Sequence, residues 1–424
     1  FECIDHDGEN IMTLSARELA AILGFTKSKT VGEVFDTQTQ QLGKLAYTRE
    51  EFNALLLRLA RNELIAPMDT AGHVGRENVT ARSVEASQTR FRAITDRLFN
   101  DEIARGVCKS KIRVVSFDTQ NQPIPLAPGM ICAYAQAYKD GLLNQYFHFS
   151  PQAAFAEQRE LLLADGIAIT LFSNYLWSHA ENLKVSRRVK EISPNSVTIH
   201  GGPDTPKYAD DVEKFFKVNE HVDIAIHGEG EVTFAEVLEA IKGNLTDADG
   251  LDVSALHDVP GITFRDGDRI VRTGDRSRIS DLDEIPSPFL NGLFDYHEQA
   301  RPGIAIIETN RGCPFGCTFC DWGSATASKI RKFSLDRVYA EMEWCARNGI
   351  PRIIFADANF GMLERDVDIA KKAVELKQKY GNPKLIGTNY AKNNTRYLQQ
   401  IVKIFIDSGI LAEGLLSLQS MDAN

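Results

Sequence analysis

From residue 109 onward, short apolar runs alternate with amphipathic segments of helical length, and few folds satisfy that alternation. Strand-like runs stand at 112–117, 145–149, 167–173, 196–200 and 222–227. The segments between them are long enough for crossover helices. The strands can therefore lie parallel in one sheet, with helices covering both faces. A second alternation begins at Gly303, with strand-like runs at 304–308, 352–357, 384–388 and 414–418. Between these runs lie helices at about 334–348 and about 364–380, and a third carrying Tyr397, Leu398, Ile401, Val402 and Phe405. Ser334 is placed to cap the first of these. Its core face would carry Leu335, Val338, Met342 and Cys345. Four βα repeats without a closing strand read as a barrel cut short. The expected class is α/β.

Residues 1–108 read as a helical module. Ser15-x-x-Glu18 and Thr48-x-x-Glu51 are capping boxes, each opening an apolar run. Gly24 ends the first run, and Phe52, Leu55, Leu56 and Leu59 give the second its helical spacing. A long amphipathic stretch follows at about 80–105. Such a module covers a neighbouring domain or reads a partner. Residues 246–302 read as a connector. It contains a hairpin, 261–264 and 269–273 around Asp266-Gly267-Asp268, and then the breaker Ile285-Pro286-Ser287-Pro288. The expected divisions are thus 1–108, 109–245, 246–302 and 303–424.

Composition narrows the class. Of 424 residues, 43% are hydrophobic and 25% charged, which excludes a disordered or collagen-like chain. No apolar run approaches the ~18–20 residues of a membrane span. The start, Phe1-Glu2-Cys3-Ile4-Asp5-His6-Asp7, is polar and acidic; it reads as a trimmed end without a signal peptide. A net charge of −10 disfavours non-specific nucleic-acid binding, which needs cations against phosphate. Seven cysteines do not make a disulfide framework in a chain of this length. Cys3, Cys108, Cys132 and Cys345 look ordinary, whereas Cys313, Cys317 and Cys320 fall within eight residues. A reducing, cytoplasmic setting is expected.

Three thiolates this close can hold three corners of an iron–sulfur cube and leave one iron open. Zinc would want a fourth ligand in paired short spacings. Here the spacings hold three and then two intervening residues, and no Cys or His follows until Cys345. The segment Cys313-x-x-x-Cys317-x-x-Cys320, with Phe319 before the last cysteine and a strand before the first, resembles the signature of the radical S-adenosylmethionine (radical SAM) family. That resemblance implies a 4Fe–4S cluster on Cys313, Cys317 and Cys320, with S-adenosylmethionine on the open iron as the source of a 5′-deoxyadenosyl radical. It places Phe319 near the adenine, Asp357 and Asn359 near the methionine amino group, and Ser417 and Gln419 near the ribose or the substrate. The Gly-Gly-Glu common after the second strand is replaced here by Asp357-Ala358-Asn359-Phe360.

The preceding sheet, read alone, would suit any flavodoxin-like or Rossmann-like nucleotide module. Joined to the cysteine loop, its strand-end segments resemble the cobalamin-binding domain of B12-dependent radical SAM enzymes. These are Ser173-Asn174-Tyr175-Leu176-Trp177-Ser178, Gly201-Gly202-Pro203 and Gly228-Glu229-Gly230-Glu231. The resemblance covers about residue 110 to the end. It implies that Tyr175, Leu176 and Trp177 face the corrin and that Gly201, Gly202 and the 228–231 turn cradle its nucleotide tail. The Asp-x-His-x-x-Gly motif that supplies a cobalt ligand elsewhere is missing; Asp295-x-His297-x-x-Ala300 is only a near miss. Strand-end His148, His200 and His227 read as ordinary hydrogen-bonded histidines.

These readings converge on a cobalamin-dependent radical SAM methyltransferase. The family chemistry moves a methyl group from methylcobalamin to an unactivated carbon after hydrogen abstraction by the 5′-deoxyadenosyl radical. The same cofactors could instead serve a rearrangement or cyclisation without net methylation. A metal-stabilised binding or regulatory protein is the rival from another class, and the cysteine spacing argues against it. The expected partners are a small-molecule or peptide substrate and an electron donor such as flavodoxin or ferredoxin. A barrel ending at Asn424 is expected to be catalytically incomplete.

Overall fold

The computed structural model describes residues 2–4, 10–13, 79–119, 124–243, 245–246, 250–296, 302–315, 330–391 and 395–415. The chain divides into two compact units, Phe1–Ala86 and Ser87–Asn424. Early in the first unit, β1 (Glu2–Ile4) pairs antiparallel with β2 (Asn10–Thr13), a short strand pair that the helical reading of 1–108 did not include. The capping boxes at Ser15 and Thr48 lie outside the described residues. The long helix α1 (Val79–Ala104) matches the amphipathic stretch expected there.

The second unit begins its main sheet with β3 (Ile112–Ser116), β4 (Phe147–Phe149), β5 (Ala168–Ser173), β6 (Val197–Gly201) and β7 (Ile224–Ile226). Between them run α2 (Leu126–Gly141), α3 (Ala156–Asp165), α4 (His179–Ile192) and α5 (Ala209–Val218), and α6 (Gly230–Ile241) follows β7. The five strands are parallel in the order β4-β3-β5-β6-β7. Counted in chain order this is 2-1-3-4-5, the flavodoxin-like arrangement. The apolar runs are buried on both faces, as a covered parallel sheet requires: Val114, Ile169, Leu171, Val197 and Ile199 join one core, and Val115, Ala168 and Phe172 another.

After the short antiparallel pair β8 (Leu245–Thr246) and β9 (Gly250–Leu251) comes the expected hairpin, β10 (Ile262–Asp266) and β11 (Arg269–Arg272). It is no free connector. β10 pairs antiparallel with β7, through Ile262↔Ile226 and Phe264↔Ile224, and extends the sheet to seven strands. Burial of Ile262 and Phe264 accounts for the attachment, which also covers an edge that would otherwise expose unpaired backbone groups.

The second alternation forms a parallel four-stranded sheet in sequential order: β12 (Ile304–Ile307), β15 (Arg352–Phe360), β16 (Leu385–Tyr390) and β17 (Leu411–Leu415). The helices are α7 (Leu335–Arg347), α8 (Glu364–Tyr380) and α9 (Thr395–Ser408). This is the βα succession of a partial barrel. Ser334 caps α7, its side-chain oxygen accepting from the Arg337 N–H at 3.4 Å. Cys345 is fully buried on the core face, as its spacing predicts. β17 starts three residues before the expected 414–418, because α9 ends at Ser408 and Gly409, at φ +67°, turns the chain at once.

Residues 282–294 tie the sheet to the barrel. Leu282, Ile285, Phe289 and Phe294 are buried in one core with Ile124 just before α2, Met130 of α2, and Phe333 and Trp344 of the barrel. A Cβ on Gly129 of α2 would come within 2.4 Å of the Phe294 ring, so only glycine allows this approach. Burying a phenylalanine contributes roughly 1.5–3 kcal/mol, so the two domains share a substantial apolar seam. Among the described residues no helix is long and apolar enough to cross a membrane.

His227, at the end of β7, shows how closed the sheet edge is. Its Nε2 bonds Thr263 Oγ1 at 2.8 Å, and burial, with Arg272 nearby, pulls its imidazole down to about 4. In the unfolded chain it protonates near 6.5, so the unfolded state binds the extra proton between those values. Its contribution to stability is complete above that window and is lost as pH falls through it. Between pH 7 and pH 5 the wild type is expected to lose about 1–2 kcal/mol more unfolding free energy than His227→Gln, measured by urea melts at the two pH values.

Candidate active site at the carboxyl edges of sheet and barrel

The cysteine loop leaves the carboxyl end of β12, and a two-pair antiparallel ladder closes its stem. β13 (Asn310–Arg311) pairs with β14 (Arg331–Lys332) through Asn310↔Lys332 and Arg311↔Arg331. Cys313 lies just inside the stem and is partly buried. Cys317, Phe319 and Cys320 lie outside the described residues, as do Ser417 and Gln419.

Asp357 and Asn359 on β15 both serve this stem. The Asp357 carboxylate accepts four donors. Oδ1 takes the backbone N–H groups of Thr309 at 2.8 Å and Asn310 at 3.2 Å; Oδ2 takes Asn310 Nδ2 at 2.8 Å and the Thr309 hydroxyl. Burial pushes its carboxyl up to about 7, against the hydrogen bonds from Thr309 and Asn310 that favour the charge. Those four donors occupy both oxygens. The structure thus makes Asp357 an anchor of the loop, where the family resemblance had set it against the methionine amino group. Asn359 sits closer to the chemistry: its Nδ2 donates to Cys313 Sγ at 3.2 Å. Nothing in the strand's sequence marks that contact, because it depends on where the loop returns.

The three segments from the sheet's carboxyl edge behave differently from one another. Leu176 is 85% and Trp177 63% exposed, and the Tyr175 and Trp177 rings stack at 4.9 Å with 10° between planes. Trp177 is therefore no core aromatic; with Leu176 it presents an apolar surface. The Ser173 carbonyl accepts from Ser178 Oγ and Asn182 Nδ2, and its side chain is hydrogen-bonded to Tyr175. Asn174 is fully buried and spent on structure. Its amide nitrogen reaches His200 Nδ1 at 3.2 Å and Thr205 Oγ1 at 3.1 Å, while its oxygen accepts from Asn182 at 2.9 Å.

Gly202 has φ +95°, and a Cβ there would meet the Asn174 carbonyl oxygen at 2.7 Å. Close packing of two loops therefore accounts for this glycine, and the ligand-approach reason given for it is not needed. Gly201 ends β6, and Pro203 is exposed beside Gly202. In the third segment Gly228, at φ +71°, has open space where a Cβ would stand. Glu229 is the N-cap of α6, and Gly230 and Glu231 already belong to the helix. Their carboxylates turn to the barrel: Glu229 reaches Arg331 at 2.5 Å and Glu231 reaches Arg311 at 2.5 Å.

Strand-end histidines are hydrogen-bonded, as expected: His200 to Asn174 and Ser186, His227 to Thr263, and His148 beside Glu102 at 3.0 Å.

Sequence reasoning passed over Glu308 and Arg311. Arg311 Nε meets Glu308 at 2.8 Å, and burial pushes the Glu308 carboxyl up to about 7 despite this arginine. Burial, with the nearby Glu308 charge, also raises the Tyr175 hydroxyl. The available signal was the polar run Glu308-Thr309-Asn310-Arg311, interposed between an apolar strand and the first cysteine.

The residues present fit the implied groups. A partly buried cysteine with an amide donor at its sulfur suits a cluster ligand, and exposed Leu176 and Trp177, with Trp177 stacked on half-buried Tyr175, suit a broad planar ring. Replacing Asp357 by Asn turns at least one accepted hydrogen bond, that from Asn310 Nδ2 or those from two backbone N–H groups, into opposed donors. The expected cost is about 2–4 kcal/mol in a urea melt, with loss of iron on reconstitution. An N–H···S bond favours the more reduced cluster. Asn359→Ala should therefore shift the cluster potential to more negative values in an EPR-monitored redox titration.

Several known proteins are similar to this chain. Residues 307–424 match the model of the radical SAM superfamily. The chain is 36% identical over 307 residues to the cobalamin-dependent radical SAM methyltransferase TokK of Streptomyces tokunonensis, covering 70% of this chain and 43% of that protein. It is 36% identical over 300 residues to the 2-(S-pantetheinyl)-carbapenam-3-carboxylate methyltransferase of Streptantibioticus cattleyicolor, covering 66% and 42%. The match thus spans less than half the length of either relative. A solved structure of the radical S-adenosylmethionine methyltransferase TsrM from Kitasatospora setae, with cobalamin and a [4Fe-4S] cluster bound, aligns with a TM-score of 0.48 at 14% identity; the alignment covers 72% of this chain and 69% of that one. Residues 307–424 are thus a radical SAM domain.

Proposed function

We propose that this protein is a cobalamin-dependent radical SAM methyltransferase acting on an unactivated carbon. The observation that carries the reading is the juxtaposition of two carboxyl edges. Glu229 and Glu231, after the last strand of the flavodoxin-like sheet, pair with Arg331 and Arg311 at the stem of the cysteine loop, and the exposed Leu176–Trp177 loop leaves the same edge of that sheet. A corrin on the one would then stand over the cluster site of the other. The names of the two relatives at 36% identity favour methyl transfer over rearrangement.

When bound, the cluster and S-adenosylmethionine supply a carbon radical on the substrate, and cobalamin supplies the methyl group. This chain's own residues bind and orient. Cys313, with Cys317 and Cys320, would hold the cluster, and Asn359 donates to the first sulfur. Asp357 fixes Thr309 and Asn310, and so the entry of the loop. Leu176 and Trp177 would cover one corrin face without ligating cobalt, since neither carries a metal-binding atom. The expected substrate class, a small molecule or peptide, and a one-electron donor protein complete the reading, as does a cytoplasmic setting.

The test is anaerobic reconstitution of the whole chain with iron, sulfide and hydroxocobalamin, followed by gel filtration. About one corrin and about four irons per chain are expected, as one cobalamin and one cubane require. Trp177→Ala should weaken corrin retention about tenfold, the effect of losing one stacked aromatic contact and its buried area. Iron–sulfur without corrin in the wild type would sink the methyltransferase reading.

A further inference from the structure

The stem of the cysteine loop has an electrostatic problem that its own residues only partly solve. Arg311 and Arg331 are direct partners across a ladder of two residue pairs. Like charges opposed across two strands destabilise the pairing. Both side chains are also largely withdrawn from water, at 14% and 15% exposure, so solvent screens them poorly. Glu308 lies within reach of Arg311 and neutralises part of that charge.

The remaining compensation comes from the sheet domain. Glu229 grips Arg331 with both oxygens, at 2.5 and 3.0 Å, and stands 3.9 Å from Arg311. Glu231 takes Arg311 at 2.5 Å. The Arg331 guanidinium also donates to the Ile279 carbonyl, whose own residue N–H donates to Glu229 at 2.9 Å. The two glutamates stand at the N-terminus of α6, where the helix dipole favours negative charge. Gly230 between them holds that terminus close to α2, since a Cβ there would meet Ile131 at 3.3 Å.

We propose that Glu229 and Glu231 are positioning residues of the radical SAM site: they clamp the Arg311–Arg331 stem, so docking of the sheet domain sets the cysteine loop. The proposal rests on the radical SAM reading of the three cysteines. It replaces the expectation that this turn cradles a nucleotide tail. Removing one partner of a withdrawn ion pair leaves the other charge uncompensated, which costs far more than the pair contributes. Loss of the clamp should therefore open the stem two residues before Cys313 while leaving the exposed Leu176–Trp177 surface as it is.

The experiment compares the reconstituted full chain with Glu229→Gln, Glu231→Gln, the double Gln variant, Arg331→Glu, and the swap E229R/R331E. Three quantities are read on each: the EPR signal of the dithionite-reduced cluster with and without S-adenosylmethionine, cobalamin retention, and the melting curve. In the double Gln variant the S-adenosylmethionine-responsive cluster signal is expected to fall about fivefold or more, the scale of a coupled charge pair, while cobalamin is retained as in the wild type. R331E should show the same loss and the swap should restore most of it. Recovery on the swap separates a broken clamp from simple misfolding, which a second reversal does not mend. An unchanged cluster signal with diminished cobalamin retention would overturn the proposal in favour of the nucleotide-tail role. A swap no better than R331E alone would overturn it as well. Absence of cobalamin from the wild type bears on the methyltransferase reading alone, since the clamp is judged on the cluster signal.

Discussion

Two arginines facing each other across a two-pair ladder would separate if left to themselves, and the candidate site is organised around holding them together. Three carboxylates from two places meet there: Glu308 from the end of β12, and Glu229 and Glu231 from the start of α6. Below this layer Asp357 gathers four donors from Thr309 and Asn310, and so fixes where the strand ends and the loop begins. Charge pairing above and a saturated carboxylate below leave Cys313 in a defined place, with the Asn359 amide at its sulfur. Each interaction lies where water is scarce, so each is stronger than at the surface and each is costly to break singly.

Apolar packing sets the frame in which those polar contacts form. Phe289 and Phe294, from the segment between the domains, bury themselves with Met130 of the sheet domain and with Phe333 and Trp344 of the barrel. Packing of this kind is non-directional. It brings two carboxyl edges together, but it does not choose the orientation of a loop. The directional hydrogen bonds and ion pairs do that. Among the described residues, Leu176 and Trp177 leave an apolar surface open at this edge.

Much of this was legible in the chain. Strand and helix positions followed from apolar periodicity, because a covered parallel strand and an amphipathic helix leave different repeats in the sequence. The three cysteines were legible from spacing, since a cluster needs its ligands close and only some spacings suit it. Asp357 and Asn359 were singled out for contact with S-adenosylmethionine, and their partners in the loop stem were not foreseen. A strand's sequence shows which residues are polar and is silent about which loop returns to meet them. Gly202 and Glu229 mislead in a similar way: a Gly-rich, acidic turn looks the same whether it faces a ligand, a neighbouring loop or another domain.

The sequence by itself determined the class of the fold, the alternation that builds both sheets, the cysteine triad, and with them the resemblance to radical SAM enzymes. All of these rest on local patterns of spacing and polarity that survive without knowledge of distant contacts. Only the tertiary structure decided the strand order 2-1-3-4-5, the addition of the hairpin to the sheet edge, and the capture of Arg311 and Arg331 by Glu229 and Glu231. Arg331 and Glu229 stand 102 residues apart, and no local rule connects them. What joins them is charge that cannot remain unpaired away from water, in a place that exists only once both domains have folded.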